Sequence, residues 1–162
     1  MSKTAEFAAE LKRETASTKA HLELVPLDKS DWKPHEKSMS LGRLASHVAE
    51  VPSWFASTLN QDVLDMAEFP TEPFIAQSTE ELIGKLEEYL AEAHAVLETF
   101  PDENLQDNWK MVYGEMTYVD DTKEQVIRTW CLNHWYHHRA QLGVYLRLLD
   151  IPVPSTYGPT AG

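Results

Sequence analysis

The chain contains little cysteine, glycine or positive charge. Its 162 residues include one cysteine, Cys131, which excludes an internal disulfide and a cysteine-rich zinc site. Only 6 residues are glycine and 43% are hydrophobic, which is typical of a globular, helix-rich protein. The 14 Lys and Arg are outnumbered by 26 Asp and Glu. The resulting net charge of −12 argues against a nucleic-acid partner or an anionic lipid surface.

Long apolar segments are also missing. No apolar run approaches the roughly 20 residues that span a bilayer. Residues 1–6 lack the apolar region of a signal peptide. We therefore expect a cytoplasmic protein with no membrane partner. The length predicts one domain over residues 1–162.

Two of four helical segments have clear ends in the sequence. The first covers about residues 4–25, and Pro26 stops it. The third begins at a capping box, in which Ser78 and Glu81 satisfy each other's backbone donors. Apolar residues then recur every three or four positions until Pro101 ends the helix.

The second helix contains a proline within its apolar pattern. It starts near Ser38 or Ser40, either of which can be the N-cap. Pro52 removes a backbone donor, so the helix either kinks there or ends at Val51 and a new turn begins.

The fourth helix follows a long connection. Residues 102–120 predict an extended strap or a short hairpin around Gly114. A helical seam then runs over residues 121–149 and ends before Pro152. We therefore expect an all-α four-helix bundle, arranged up-down-down-up or similarly, with the long connection before the last helix.

Histidines occupy the seam where the fourth helix should be apolar. His134 and His138 are four residues apart, so they share a helical face and can bind one metal ion. His47 lies on the apolar face of the second helix. Three inward histidines predict a metal site with open coordination positions, although each is also explicable as a hydrogen-bonded core residue. His137 is three residues from His134 and can replace His138, but the seam favours His138.

Several other residues are candidates for supporting roles. Glu50, Asn133 and Gln141 can bond to the histidine nitrogens that face away from a metal. Arg139 can bind an anionic substrate group, although a helical arginine is more often solvated or ion-paired. Cys131 lies on the buried seam and is predicted to be a core residue.

Two stretches resemble the DinB/YfiT-like superfamily over nearly the whole chain. The first is LASHVAE at residues 44–50, followed by Pro52 and Trp54. The second is NHWYHHRAQL at residues 133–142, and it continues through YLR at 145–147, Pro154 and Tyr157-Gly158. One departure is Ala140, where many relatives have glycine.

This resemblance implies a four-helix bundle that is often a homodimer and carries a three-histidine metal site. By the same resemblance the ligands are His47, His134 and His138, while His137 matches a position next to a ligand. A three-histidine site accepts Zn, Ni, Fe, Mn or Co, so the sequence leaves the divalent metal unidentified.

Three functions are compatible with such a site. Some relatives are transferases or isomerases that use a low-molecular-weight thiol, so the first hypothesis is thiol transfer onto an electrophilic small-molecule substrate. The second is metal-dependent hydrolysis, for which His137 or Glu50 would be the general base. The third is a non-enzymatic, metal-binding stress-response protein that acts through partners.

Overall fold

Five helices form most of the part of the chain that the structure describes. The computed structural model describes residues 2–161. The first four helices are α1, Lys3–Leu22, α2, Leu41–Glu50, α3, Ser53–Leu59, and α4, Thr79–Thr99. The last, α5, is continuous over 123–148 and consists of α-helical Lys123–Val126, π-helical Ile127–Asn133 and α-helical His134–Leu148. Short 3-10 turns occupy Leu27–Lys29, Met66–Glu68 and Asp102–Gln106.

The helix starts follow the capping signals in the sequence. Ser40 is the N-cap of α2, and its hydroxyl accepts a hydrogen bond from the backbone N–H of Arg43. Ser78 caps α4 in the same way through the N–H of Glu81. The reciprocal half of the capping box differs, because the Glu81 carboxylate accepts from the N–H of Gln77 at 2.7 Å.

Pro52 separates two helices. Helix α2 ends at Glu50, and α3 begins at Ser53. The second of the two alternatives is therefore correct: the helix ends and a new one starts. Proline cannot donate the backbone hydrogen bond that a continuous helix requires at this point.

The prediction of an all-α four-helix bundle is wrong. A three-stranded sheet in the order β1-β2-β3 accompanies the helices. Its strands are β1, Val63–Asp65, β2, Asn108–Tyr113, and β3, Met116–Thr122. Strand β1 pairs in parallel with β2, and β2 pairs antiparallel with β3. The break at Pro52 also raises the number of helices from four to five.

The alternating pattern of β2 explains why this segment is a strand. Trp109 and Met111 are buried, whereas Asn108 is exposed and Lys110 is partly exposed, which is the period of two of a half-buried strand. Gly114 adopts a positive φ of 58° in the turn between β2 and β3, a conformation that favours glycine. The hairpin around Gly114, one of the two alternatives for this connection, is thus confirmed.

The helices and the sheet pack around two apolar clusters. In the larger cluster α1 packs on α4, and α2 contacts both α4 and α5. In the smaller cluster, Trp109, Met111 and Val119 of the sheet pack against Trp54 and Trp130. The sheet therefore supports the two tryptophans that flank the histidines. No helix within residues 2–161 is long and apolar enough to cross a membrane.

Candidate metal centre

Helices α2 and α5 bring three histidines together. His47 comes from α2, and His134 and His138 lie one turn apart on α5. Each offers one ring nitrogen, and these three nitrogens all lie within 4.8 Å of one another. The ring centroids of His134 and His138 are 4.5 Å apart, and that of His47 is 4.6 Å from that of His138.

The π-helical stretch orients His134. The backbone N–H of His134 donates to the carbonyls of Thr129, five residues earlier, and Cys131, and not to the Trp130 carbonyl that would accept it in an α-helix. The Trp130 carbonyl instead accepts from the Nδ1–H of His134 at 3.1 Å. The proton is therefore on Nδ1, and the lone pair of Nε2 points toward the other two histidines. Such interruptions of the α-helical pattern are frequent at functional sites.

The side chain of Gln141 orients His138 by accepting a hydrogen bond from its ring. The Nδ1–H of His138 donates to the Gln141 Oε1 at 2.7 Å, which leaves Nε2 unprotonated. Gln141 therefore occupies the supporting position that the sequence predicted for it, on the far side of a candidate ligand. A bond of this kind fixes the ring and raises its basicity toward a metal.

His47 has two charged neighbours on its own helix. Its Nδ1 is 3.4 Å from the Nη2 of Arg43 and 3.8 Å from the Oε2 of Glu50. The other guanidinium nitrogen of Arg43 donates to the same Glu50 oxygen at 2.7 Å and to the Phe74 carbonyl at 3.3 Å. Glu50 thus lies beside the site, as the sequence predicted, but shares its carboxylate with Arg43.

Burial keeps His134 and His138 neutral at pH 7. Burial, and then the neighbouring His47, lowers the pKa of His134 to about 4. Burial also lowers the pKa of His138 to about 4, although its bond to Gln141 opposes the shift. Burial raises the pKa of Glu50, but its contacts with His47 and Arg43 outweigh burial and leave that pKa below the usual value. Both imidazoles are therefore in the neutral form, which is the form in which histidine binds metals.

The donor set fits a divalent metal ion. The Nε2 atoms of His47 and His134 are 3.2 Å apart. Two nitrogen ligands about 2.0–2.1 Å from a tetrahedral ion would be about 3.3 Å apart, so this separation needs almost no adjustment. Three imidazole nitrogen donors suit zinc, nickel, copper and iron(II), and leave at least one position for a further ligand.

Aromatic rings cover one side of the centre, and a cavity opens beside the other. Trp54 and Trp130 stack with their centroids 6.2 Å apart, and both meet His134 edge-on. A cavity of about 600 Å³ is lined by His47, Arg43 and Glu50. Its remaining wall is largely apolar and aromatic and includes Trp54, Met66, Phe69, Phe74 and Tyr89. The centre is therefore accessible to a small molecule from the His47 side.

Two predicted candidates lie apart from the three converging nitrogens. His137 is exposed, and its ring centroid is 4.9 Å from that of His138 on the neighbouring face. Asn133 is also exposed. The structure thus brings His138, and not His137, to the other two histidines.

Arg139 faces another part of the protein. It is buried and donates to the Glu14 carboxylate and to the Tyr157 hydroxyl, both at 2.7 Å. Its guanidinium therefore joins α1 and the C-terminal segment to α5, and the structure does not bring it to the histidines. This ion pair also explains why a charged residue, Glu14, lies between the buried residues of α1.

The sequence analysis did not identify Arg43 as a residue of the site. It lies four residues before His47 and seven before Glu50, so all three fall on one side of α2. That spacing is the signal that could have identified it. Cys131, by contrast, is buried as predicted, and burial raises the pKa of its thiol to about 12.

The fold and this site define a helical protein with a candidate three-histidine metal centre between two helices. The chain belongs to the DinB family, whose family model matches residues 1–161. A DinB-like protein from Bacillus subtilis has a similar structure, with a TM-score of 0.71, 18% identity, and 96% of this chain and 99% of that chain covered. A DinB-like protein from Bacillus cereus gives a TM-score of 0.70, 19% identity, and coverages of 93% and 95%. A comparison with curated proteins gave no match.

Proposed function

We propose that this protein binds one divalent metal ion through His47, His134 and His138 and transfers a low-molecular-weight thiol onto an electrophilic small molecule. The observation that carries this proposal is the convergence of three histidine ring nitrogens within 4.8 Å at the edge of a cavity of about 600 Å³. A bound ion would supply positive charge that lowers the pKa of a thiol beside it, so that the reactive thiolate is present at neutral pH.

The chain itself has no thiol that could serve as the nucleophile. Cys131 is fully buried within the core, and its pKa of about 12 keeps it protonated at neutral pH. A thiol reaction at this site would therefore require a thiol from a second molecule. The cavity has room for such a cosubstrate, since small-molecule pockets commonly enclose about 300–1,000 Å³.

The residues around the centre have distinct roles in this proposal. Gln141 and the Trp130 carbonyl hold His138 and His134 with their Nε2 lone pairs facing inward. Trp54 and Trp130 exclude water from one side of His134. The apolar wall with Phe69 and Phe74 would take the hydrophobic part of an electrophile.

Metal-dependent hydrolysis is the second candidate, because an ionised carboxylate lines the cavity. Glu50 is at the cavity wall, and its lowered pKa keeps it charged at neutral pH. Its Oε2, however, already accepts from Arg43 at 2.7 Å, which weakens it as a general base. His137, the other predicted base, is exposed and outside this wall. We therefore rank hydrolysis below thiol transfer.

A combined turnover and binding assay distinguishes thiol transfer, hydrolysis and the non-enzymatic alternative. Protein loaded with zinc or cobalt is incubated with a panel of small thiols and a chloronitrobenzene, and thioether formation is followed by absorbance. The cobalt-loaded protein should also show a sulfur-to-cobalt charge-transfer band on addition of a thiol. His138→Ala is the matched control and should give neither signal.

The outcomes decide between the proposals. Turnover that depends on the metal and on His138 supports thiol transfer. If no thiol in the panel gives turnover or a band, thiol transfer is wrong. Hydrolysis of activated esters would then favour the second candidate, and inactivity with both would favour a metal-binding stress-response protein.

The homodimer and the cytoplasmic location remain predictions from the sequence. Exposed Val144 and Leu148 on α5 are compatible with a dimer contact. Sedimentation that shows a monomer at all concentrations would remove the dimer proposal without affecting the metal centre.

A further inference from the structure

A second cavity lies between α1, the end of α5 and the C-terminal segment, residues 149–161. This cavity, termed the C-terminal groove, has a volume of about 420 Å³, which is enough for a small molecule. None of the described residues lines both this groove and the cavity beside the three histidines. Its basic members are His21 and Arg147. Much of its wall is aliphatic and is formed by Ala140, Val144, Leu148, Val153 and Pro154.

His21 offers a hydrogen-bond acceptor to this groove. Its side chain is buried, at 3% exposure, and its Nδ1 lies 2.7 Å from the Ser17 carbonyl oxygen. A carbonyl oxygen can only accept, so the proton is on Nδ1. Burial lowers the pKa of His21, and the charge of Arg139 adds to this shift against the opposing effect of the Ser17 bond. The ring is therefore neutral at pH 7, with a lone pair on Nε2.

The Nε2 of His21 faces the groove without a partner. Among residues 2–161, the ring bonds only through Nδ1, and every fully enclosed side-chain nitrogen or oxygen has a partner. Nε2 is therefore not fully enclosed, and the groove is the cavity that His21 lines. Gly143 keeps this nitrogen open, since a Cβ at that position would lie only 3.6 Å from it. A ligand in the groove can thus donate a hydrogen bond to Nε2.

The wall opposite α5 is held in place before any ligand binds. The hydroxyls of Ser17 and Thr156 are hydrogen-bonded at 2.9 Å. The Tyr157 hydroxyl donates to the Glu14 carboxylate at 2.7 Å. The C-terminal segment is therefore fixed on α1 at two points, so a ligand need not order it on binding.

Arg147 places a positive charge at the other end of the groove. It follows Gly143 by four residues, which is about 6 Å along the helix. The side chain is exposed and forms no ion pair within the part of the chain that the structure describes. A guanidinium without an acidic partner beside an aliphatic wall favours an anionic group, and a carboxylate matches its planar donors.

We propose that the C-terminal groove binds a small carboxylic acid whose apolar body carries a hydroxyl or N–H group at the end opposite the carboxylate. The carboxylate accepts from Arg147, the apolar body packs on Val144, Leu148 and Val153, and the far group donates to the Nε2 of His21. This site is separate from the proposed metal centre and does not depend on it.

The first test compares three probes that differ in one group at a time. The probe para-hydroxyphenylacetate has both groups, phenylacetate lacks the hydroxyl, and para-hydroxyphenylethanol lacks the carboxylate. Each is titrated into the full-length protein, with and without zinc, while the amide NMR signals of Gly143 and Val144 are followed. The complete probe should bind about 3-fold to 10-fold more tightly than phenylacetate, the effect of one hydrogen bond. It should bind about 2-fold to 5-fold more tightly than the ethanol, the effect of an exposed ion pair.

The second test assigns each preference to its residue. His21→Phe keeps a ring but removes the acceptor, so it should abolish the preference for the hydroxyl. Arg147→Met removes the charge but keeps a long side chain, so it should abolish the preference for the carboxylate. Arg13→Met is the matched control, because Arg13 is exposed on α1 and does not line the groove. A variant that weakened all three probes equally would indicate a structural role and contradict the assignment.

The remaining outcomes are equally decisive. Absence of shifts at Gly143 and Val144 with millimolar probe would overturn the proposal, as would shifts confined to the residues around His47. A dimer in sedimentation that binds no probe would mean that a second copy covers the groove, which also overturns it. If His21→Phe does not fold, Gly143→Ala replaces it, because its methyl group covers Nε2 and alanine favours the helix. It should reduce the affinity for the complete probe to that for phenylacetate, and unchanged affinity would refute the role of His21.

His138→Ala distinguishes this inference from the proposed function. This variant should bind the probes in the groove as the wild-type protein does, whatever it does to zinc. Failure of the metal centre or of thiol transfer would therefore leave the groove unaffected. Loss of probe binding in a folded His138→Ala would show that the acid binds at the metal centre instead and would overturn the proposal.

Discussion

Replacing His138 with alanine would remove one of three metal donors while leaving its helix intact. Structural zinc sites with four ligands bind with about 10–16 kcal/mol, or about 3 kcal/mol for each ligand. Loss of one donor should therefore weaken zinc binding on the order of 100-fold or more. Alanine also has a higher helix propensity than histidine, so the fold of α5 should tolerate the change. The same loss is expected for alanine at His47 or His134.

The affinity and the thermal stability should change together. A metal that binds only the folded protein stabilises it by RT ln(1 + [L]/Kd), so a 100-fold weaker site loses about 2.7 kcal/mol of that stabilisation. We would measure zinc affinity by chelator competition and melting curves with and without zinc. The metal-free variant should melt close to the metal-free wild type or slightly above it, since removing a buried imidazole also removes a burial cost.

His137→Gln is the matched control. His137 precedes His138 by one residue, which rotates it by about 100° around the helix, and its side chain is exposed. This variant should retain zinc with wild-type affinity. Loss of zinc in His137→Gln together with retention in His138→Ala would shift the ligand assignment by one residue. Retention of zinc in every alanine variant would refute the three-histidine centre.

Three further predictions follow from groups buried in the core and around the site. Because the pKa values of His134 and His138 are lowered in the folded protein, the unfolded chain binds protons more readily than the folded one. Metal-free protein should therefore keep its stability above about pH 6.5 and lose it as the pH falls toward about 4, and melting curves across this range would test this. Buried Lys123 donates to the Thr58 and Gln61 carbonyls at 2.9 and 2.7 Å, so Lys123→Met should lower the free energy of unfolding by about 1–3 kcal/mol in urea titrations. Lys85 forms an ion pair at the surface, and Lys85→Met, the control, should change that free energy by less than about 1 kcal/mol. Cys131 should react with a thiol reagent only after denaturation, and fast labelling of native protein would contradict its burial.

The candidate ligands could be predicted because they follow local periodicity. Two histidines four residues apart share a helical face wherever the helix lies, and the apolar neighbours of His47 place it on the inner side of α2. The capping serines and the turn at Gly114 are local signals of the same kind. The partner of each histidine was harder to predict, because Trp130 contributes a backbone carbonyl that only the π-helical geometry releases.

The sheet could not be predicted because its pairing is not local. Strand β1 has three residues, too few to show an alternating pattern, and it pairs with residues 110–112 nearly fifty positions later. An ion-paired Arg139 was one of the two alternatives, but its particular partners could not be predicted, for a similar reason. Its partners are Glu14 on α1 and Tyr157 in the C-terminal segment, and neither is near it in the sequence.

Trp54 connects the fold to the chemistry of the centre, and its removal gives a final prediction. The helix break at Pro52 lets α3 place Trp54 against Trp130. There the Trp54 ring meets that of His134 edge-on, with centroids 5.6 Å apart. Burial is the main reason that the pKa of His134 is about 4, so Trp54→Ala should admit water and raise that pKa toward the ordinary value of about 6.5.

A proton competes with the metal for the same Nε2 lone pair. In Trp54→Ala, zinc should therefore be released at a higher pH than in wild type, while affinity well above pH 7 changes less. Trp32→Ala is the control, because Trp32 packs on Tyr145 away from the histidines. The measurement is the pH at which half of the bound zinc is lost to a chelator, after correction for the pH dependence of the chelator's own zinc affinity. An unchanged release pH in folded Trp54→Ala would show that the tryptophan pair does not keep His134 dry.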